Sequence, residues 1–177
     1  VSTLLKHLSV SYSLKGWYDT PCFAVVGSFC DVIEFVMKKL HHIALIVDDI
    51  TSKTDWYCNV YNASRLGSLF VDENQKVKVQ FIKSDEIMLE LLEPLNSESP
   101  ISLFLKQHGS GTLYHIAYEV NDLGEAESEI RDRGGMVISR TKDGWGGLEV
   151  MFAVFIKDNE KQIVEYVSIN YSLGSSI

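Results

Sequence analysis

Apolar residues fall in short dense runs along most of this chain, and from residue 40 onward the runs come in a fixed order. "LHHIALIV" (40–47) has the β-branched content of a buried strand. "DDITSKTDWYCNVYN" follows with helical spacing, Asp48 or Asp49 as its N-cap, and Ile50, Trp56, Tyr57 and Val60 expected on one apolar face. Three strand-like runs come next: "SRLGSLFV" (64–71), "KVKVQFIKS" (76–84) and "EIMLELLEP" (86–94), separated by turn residues. The stretch "LNSESPISLFLKQHGSG" predicts a short helix opening at Pro100 and ending at Gly109 and Gly111. The order then restarts. "TLYHIAYEV" (112–120) is a strand, "NDLGEAESEIRDRGG" a capped helix stopped by Gly134 and Gly135, and "MVISRT", "LEVMFAVFIKD" and "KQIVEYVSI" three further strands.

The two halves also share letters. "HIALIVDD" begins at His42 and "HIAYEVND" at His115, and five of the eight positions are identical. Each half therefore reads as a βαβββ module, and the pattern predicts an α+β fold in which paired βαβββ modules form a cleft between curved mixed sheets. The expected organisation is an N-terminal extension over 1–36, a first module over 37–98, a connector helix over 99–111, a second module over 112–170 and a tail over 171–177. Residues 1–36 have no counterpart later in the chain, and Met37 followed by two lysines reads like a natural start.

Repetition makes equivalent positions converge, and the residues that recur carry chemistry. Each half offers one histidine from its first strand, His42 or His115, and one carboxylate from its last, Glu90 or Glu165, about fifty positions later. A lone carboxylate in an apolar strand is costly to bury unless it is paired or bound to a cation. Period-two alternation puts Glu90 on a face with Met88 and Leu92, and Leu89 and Leu91 on the other, so both faces are apolar. Two imidazoles and two carboxylates suit one borderline divalent ion: Zn, Ni, Co or Mn. The same alternation turns His41 away from His42, while Glu86 and Glu93 are expected on the solvent face, as single glutamates in apolar strands often are. His7 and His108 read as ordinary solvated residues.

Composition narrows the partners. A net charge of −8 at pH 7 argues against a basic face for nucleic acid or an anionic membrane, which makes a small molecule the expected partner. No apolar run reaches the roughly 18–20 residues of a membrane span. Three cysteines in no ligand spacing fit a reducing compartment, and the N-terminus lacks the pattern of a signal peptide, so the expected location is cytoplasmic.

The repeated modules and the His42, Glu90, His115, Glu165 set resemble the vicinal oxygen chelate superfamily, which includes glyoxalase I, methylmalonyl-CoA epimerase, extradiol dioxygenases and bleomycin- and fosfomycin-resistance proteins. The resemblance covers about residues 38–168. "LELLEPLNSESPISLFLKQHGSGTLYHIAYEV" is most similar to the methylmalonyl-CoA epimerases. It implies that His42, Glu90, His115 and Glu165 hold the metal. Departures are visible too: Tyr114 stands where epimerases usually have a second histidine, and "VFIKDNEKQIVEYV" replaces a late "HPK" stretch. The strand expected to bear the base, "KVKVQFIKS", has no carboxylate, leaving Gln80 or Lys78 for that role.

The reading that follows is a metal-dependent epimerase or isomerase that abstracts a proton next to a polarised carbonyl or thioester. Glu165 is its candidate base, Gln80 a second catalytic candidate, and Trp145 in "DGWGGLEV" a candidate for stacking on substrate. The substrate would be carried as an acyl-CoA or a glutathione adduct, although Lys and Arg form no cluster suited to coenzyme A phosphates. A glyoxalase I-type lactoylglutathione lyase is the alternative enzyme, and a small-molecule-sequestering resistance protein the alternative of another class. A homodimer is expected, because such modules leave sheet edges that invite pairing.

Overall fold

The computed structural model describes residues 38–142 and 144–169 of the chain, so the expectations for residues 1–36 and for 171–177 lie outside the described residues. The elements run β1 Leu40–Ile46, α1 Ile50–Tyr61, β2 Ser64–Asp72, β3 Val77–Ser84, β4 Ile87–Pro94, α2 Ser102–His108, β5 Thr112–Val120, α3 Leu123–Asp132, β6 Met136–Thr141, β7 Glu149–Lys157 and β8 Glu160–Ser168. This is βαβββ written twice around a short helix. Among the described residues no helix is long and apolar enough to cross a membrane.

The strands form one continuous eight-stranded sheet in the order β2-β3-β4-β1-β5-β8-β7-β6, the sheets of the two modules lying side by side as expected. The reason lies in the opening strands. In each half the first strand pairs with the last in parallel, β1 with β4 and β5 with β8, which leaves one edge of each first strand open. Those two edges pair with each other antiparallel, so neither keeps unpaired N–H and C=O groups. The seam between the halves is thus the centre of the sheet.

Helices α1 and α3 lie on one face. Ile50 and Tyr57 of α1 pack on Ile82 and Leu91, and Leu123, Ala126 and Ile130 of α3 pack on Met151, Ala153, Val164 and Tyr166. Each fully buried Ile, Leu, Val or Met among these contributes about 1.5–3 kcal/mol. The caps follow one design in both halves. Asp49 accepts from the Ser52 N–H at 3.0 Å, and Asp122 from the Glu125 N–H at 2.8 Å.

Three expectations need correcting. The apolar stripe on α1 is Ile50, Thr54 and Tyr57, spaced i, i+4, i+7, while Trp56 and Val60 are 53% and 50% exposed. Thr54 can be buried there because its hydroxyl donates to the Ile50 carbonyl. Helix α2 begins at Ser102 rather than Pro100: Ile101 is drawn into the core, and the Ser102 N–H closes a turn on the Ser99 carbonyl first. Glu93 is half-buried instead of solvated, accepting from the Ile50 N–H at 2.7 Å and the Lys78 ammonium at 2.6 Å, which ties β4 to the start of α1.

The seam carries two irregularities that matter for the site. Leu40 pairs with Tyr118 and His42 with Ala117, so His41 is an extra residue on β1. Ala44 pairs with His115 and Leu45 with Leu113, so Tyr114 is an extra residue on β5. These are two β-bulges at equivalent places in the repeat, and a bulge re-aims the side chain it inserts.

Candidate metal centre

Two rows of residues cross the sheet at the seam, all facing away from α1 and α3. One reads Phe81, Glu90, Ala44, His115 from β3 to β5, and the other His42, Ala117, Glu165, Phe152 from β1 to β7. Each row holds one imidazole and one carboxylate from opposite halves, with an alanine between them. The histidines and glutamates that the repeat singled out are therefore brought together by strand register alone.

Their donor atoms converge. His42 Nε2 lies 3.2 Å from His115 Nε2. Glu90 Oε2 is 3.3 Å from both of these nitrogens, and Glu165 Oε2 is 3.0 Å from His42 Nε2 and 2.9 Å from His115 Nε2. His42, His115 and Glu165 are only 3%, 2% and 6% exposed, so water cannot stabilise this charge. All four ligand atoms lie within 4.8 Å of one another, and the group could hold a metal ion. Donors held about 2.1 Å from an ion would sit roughly 3.0 Å apart in an octahedral shell and roughly 3.4 Å apart in a tetrahedral one. The observed contacts, 2.9–3.3 Å, lie close to that interval, and two carboxylates with neutral imidazoles carry the charge a divalent cation cancels. The donor set fits.

Without an ion, protons take its place. Burial pulls the His42 imidazolium down, but Glu90 and Glu165 override it and push the group up to about 10. His115 is raised too, burial again being outweighed by the same two carboxylates. Burial pushes Glu90 up, yet the two histidines hold it down at about 2, and Glu165 is lowered for the same reasons.

Aromatic rings frame the cluster symmetrically. Phe81 meets His42 edge-on with centroids 5.4 Å apart, and Phe152 meets His115 edge-on at 5.2 Å. The cluster lies in a cleft of about 400 Å³ that both halves line, with Val77, Val79 and Ile101 on one side and Ile138, Val150 and Ile163 on the other. No lysine or arginine lines it among the described residues.

The other expected site residues fare differently. Gln80 is buried but points to the helix face, because Val77, Val79 and Phe81 are the β3 residues that turn to the cleft. Its amide donates to the carbonyls of Phe81 and Gly67, at 2.8 and 3.4 Å. Lys78 shares that face and pairs with Glu93. Neither reaches the cluster, so the catalytic role expected for Gln80 is withdrawn. Trp145 opens a single 3-10 turn over Trp145–Gly147, and its side chain lies outside the described residues.

Sequence reasoning missed His41 and Tyr114. Both bulge residues line the cleft, His41 with its Nδ1 2.7 Å from His42 Nδ1, and Tyr114 edge-on to His115 at 5.5 Å. Burial and the His42 charge lower His41, and burial raises the Tyr114 hydroxyl. The signal was present: a large ring precedes the recurring histidine in both halves.

Comparison with known proteins agrees with this geometry. The Glyoxalase/Bleomycin resistance protein/Dioxygenase superfamily profile matches residues 41–152. An uncharacterized protein of Bacillus subtilis is 37% identical over 117 residues, 66% of this chain and 82% of that one. The ethylmalonyl-CoA/methylmalonyl-CoA epimerase of Cereibacter sphaeroides is 33% identical over 119 residues, 66% of this chain and 88% of that one. A solved variant of Streptomyces coelicolor methylmalonyl-CoA epimerase in complex with 2-nitronate-propionyl-CoA superposes with a TM-score of 0.65 at 26% identity, covering 76% of this chain and 96% of that one. The chain belongs to the glyoxalase/bleomycin resistance protein/dioxygenase superfamily, and within it stands with the methylmalonyl-CoA epimerases.

Proposed function

We propose that the protein epimerises an acyl-CoA thioester whose α-carbon is flanked by a second carbonyl or carboxylate, with methylmalonyl-CoA as the first candidate substrate. The observation that carries this reading is the convergence of His42, Glu90, His115 and Glu165 at the floor of a cleft shared by both halves. The relatives with 33% and 26% identity act on or bind such thioesters by name. In this reading the four side chains hold Zn, Ni, Co or Mn. When bound, such an ion supplies Lewis acidity, lowering the energy of negative charge on a carbonyl oxygen.

The chain's own residues supply the rest. Among the described residues the cleft is lined by no lysine or arginine. Its apolar walls exclude water from the α-carbon, which slows loss of an abstracted proton to solvent. Oε2 of Glu165 is the oxygen turned to both imidazoles, which leaves Oε1 as the atom we assign to accepting the α-proton; inversion is completed by a proton delivered to the opposite face of the α-carbon from a solvent-equilibrated donor. A homodimer joined through edge strands is part of the same proposal.

The test is hydrogen exchange at the α-carbon. Protein loaded separately with Co, Zn, Ni or Mn is incubated with methylmalonyl-CoA in heavy water, and deuterium uptake is followed by mass spectrometry. Metal-dependent uptake supports the reading. Stoichiometric metal binding without uptake for any of the four ions overturns it.

A further inference from the structure

His41 has no part in the reaction as proposed, yet it is held against the cluster by a structural irregularity. In a regular strand, residues 41 and 42 would face opposite sides of the sheet. The β-bulge at His41 cancels that alternation, so both rings meet at the cleft with centroids 5.0 Å apart and Nδ1 atoms 2.7 Å apart. Two imidazole nitrogens at that distance share one proton.

We propose that His41 is a positioning residue that holds His42 as the Nδ1–H tautomer when an ion is bound, so that the His42 Nε2 lone pair is turned into the cluster. The inference rests on the metal reading above. To bind an ion through Nε2, His42 must carry its proton on Nδ1, which makes His42 the donor and His41 Nδ1 the acceptor. The His41 proton then sits on its Nε2, where it is a donor available to a ligand in the cleft. A partner of this kind fixes both ring orientation and tautomer.

The other half of the repeat provides an internal control. His115 Nδ1 is buried with no hydrogen-bond partner among the described residues. The counterpart of His41 there is Tyr114, which meets His115 only through ring contact. The two imidazoles are thus equivalent in position but not in support: one is fixed by a hydrogen bond, the other by packing against Phe152 and Tyr114.

The experiment compares metal-stripped wild type, His41→Phe, His41→Asn and Tyr114→Phe. Cobalt(II) affinity is measured by titration calorimetry, and proton NMR of the cobalt-loaded protein follows the hyperfine-shifted N–H signals of the ligating imidazoles. The phenylalanine variant keeps a ring but removes the acceptor; it should lose roughly 10- to 100-fold in affinity, and the His42 N–H signal should vanish through fast solvent exchange. Asparagine places an acceptor near the position of Nδ1 and should restore both. Tyr114→Phe should change neither. Wild-type affinity with an intact signal in His41→Phe overturns the proposal. So does an asparagine variant that folds but binds as weakly as the phenylalanine one. Failure of wild type to bind cobalt, zinc, nickel or manganese would instead remove the metal reading itself.

Discussion

His115 and Glu90 come from opposite halves of the chain, yet they flank the same residue, Ala44, in one row of the sheet, with Nε2 and Oε2 3.3 Å apart. Ala117 stands in the same relation to His42 and Glu165. Both alanines are fully buried. A methyl group at each position lets the long side chains on either side lean together over it. Ala44→Val and Ala117→Val should therefore wedge the donors apart. The expected outcome is loss of stoichiometric cobalt binding, at a cost in stability of about 1–3 kcal/mol from overpacking. Calorimetry and thermal unfolding of the same samples would check it; unchanged affinity in both variants would show that the alanine floor does not set the donor spacing.

Glu165 is assigned two roles, ligand and base, and these separate on substitution. Glu165→Gln keeps the shape and an oxygen donor but cannot accept the proton. Deuterium exchange should fall by about 10²–10⁴-fold. Metal affinity should fall far less than in His115→Ala, which removes a donor outright. Equal losses of affinity in the two variants would argue that Glu165 acts only by holding the ion.

The sequence made the repeat, the strand assignments and the four converging residues legible for one reason. Period-two patterning and a duplicated His-Ile-Ala motif both survive in the letters, and parallel pairing of first and last strands fixes His42 to Glu165 and His115 to Glu90 once the modules join. What was hidden depends on breaks in that period. Alternation assigns His41 to the wrong face because a bulge is a pairing event between strands, invisible in either strand alone. Trp56 and Val60 looked like core because of their size, whereas burial on α1 goes to Thr54, whose hydroxyl finds a partner within its own helix. Gln80 drew notice because the resemblance places a base on its strand and the strand has no carboxylate; its amide in fact donates to backbone carbonyls on the far side of the sheet.

That placement gives Gln80 a structural role that can be measured. Gln80→Leu removes two hydrogen bonds without approaching the cluster. Stability should drop by about 1–3 kcal/mol, since the Phe81 carbonyl loses a buried side-chain donor. Exchange activity should stay within about twofold of wild type, a surface-like effect on the barrier. A hundredfold loss of exchange in a stably folded variant would return Gln80 to the catalytic machinery.

Stability of the metal-free protein should depend on pH in a way that the ion abolishes on one side only. The histidines of the cluster have folded values above the ordinary 6.5, His42 at about 10. Their contribution is complete below 6.5 and is lost as pH rises toward about 10. The carboxylates have folded values below the ordinary 4.5, Glu90 at about 2. Their contribution is present above 4.5 and is lost as pH falls toward about 2. Metal-free protein should accordingly melt highest between about 4.5 and 6.5. With an ion bound the imidazoles are neutral and the alkaline loss disappears, whereas in acid protons compete for the same four donors. The gap in melting temperature between loaded and metal-free protein should widen from pH 6.5 upward and close below 4.5. At an ion concentration of about 100 Kd the stabilisation behind that gap should be about 2.7 kcal/mol. Thermal scans with chelator and with cobalt across this range decide the point. A metal-free melting temperature that holds level from pH 6.5 to 10 would mean that the two carboxylates do not keep His42 and His115 charged.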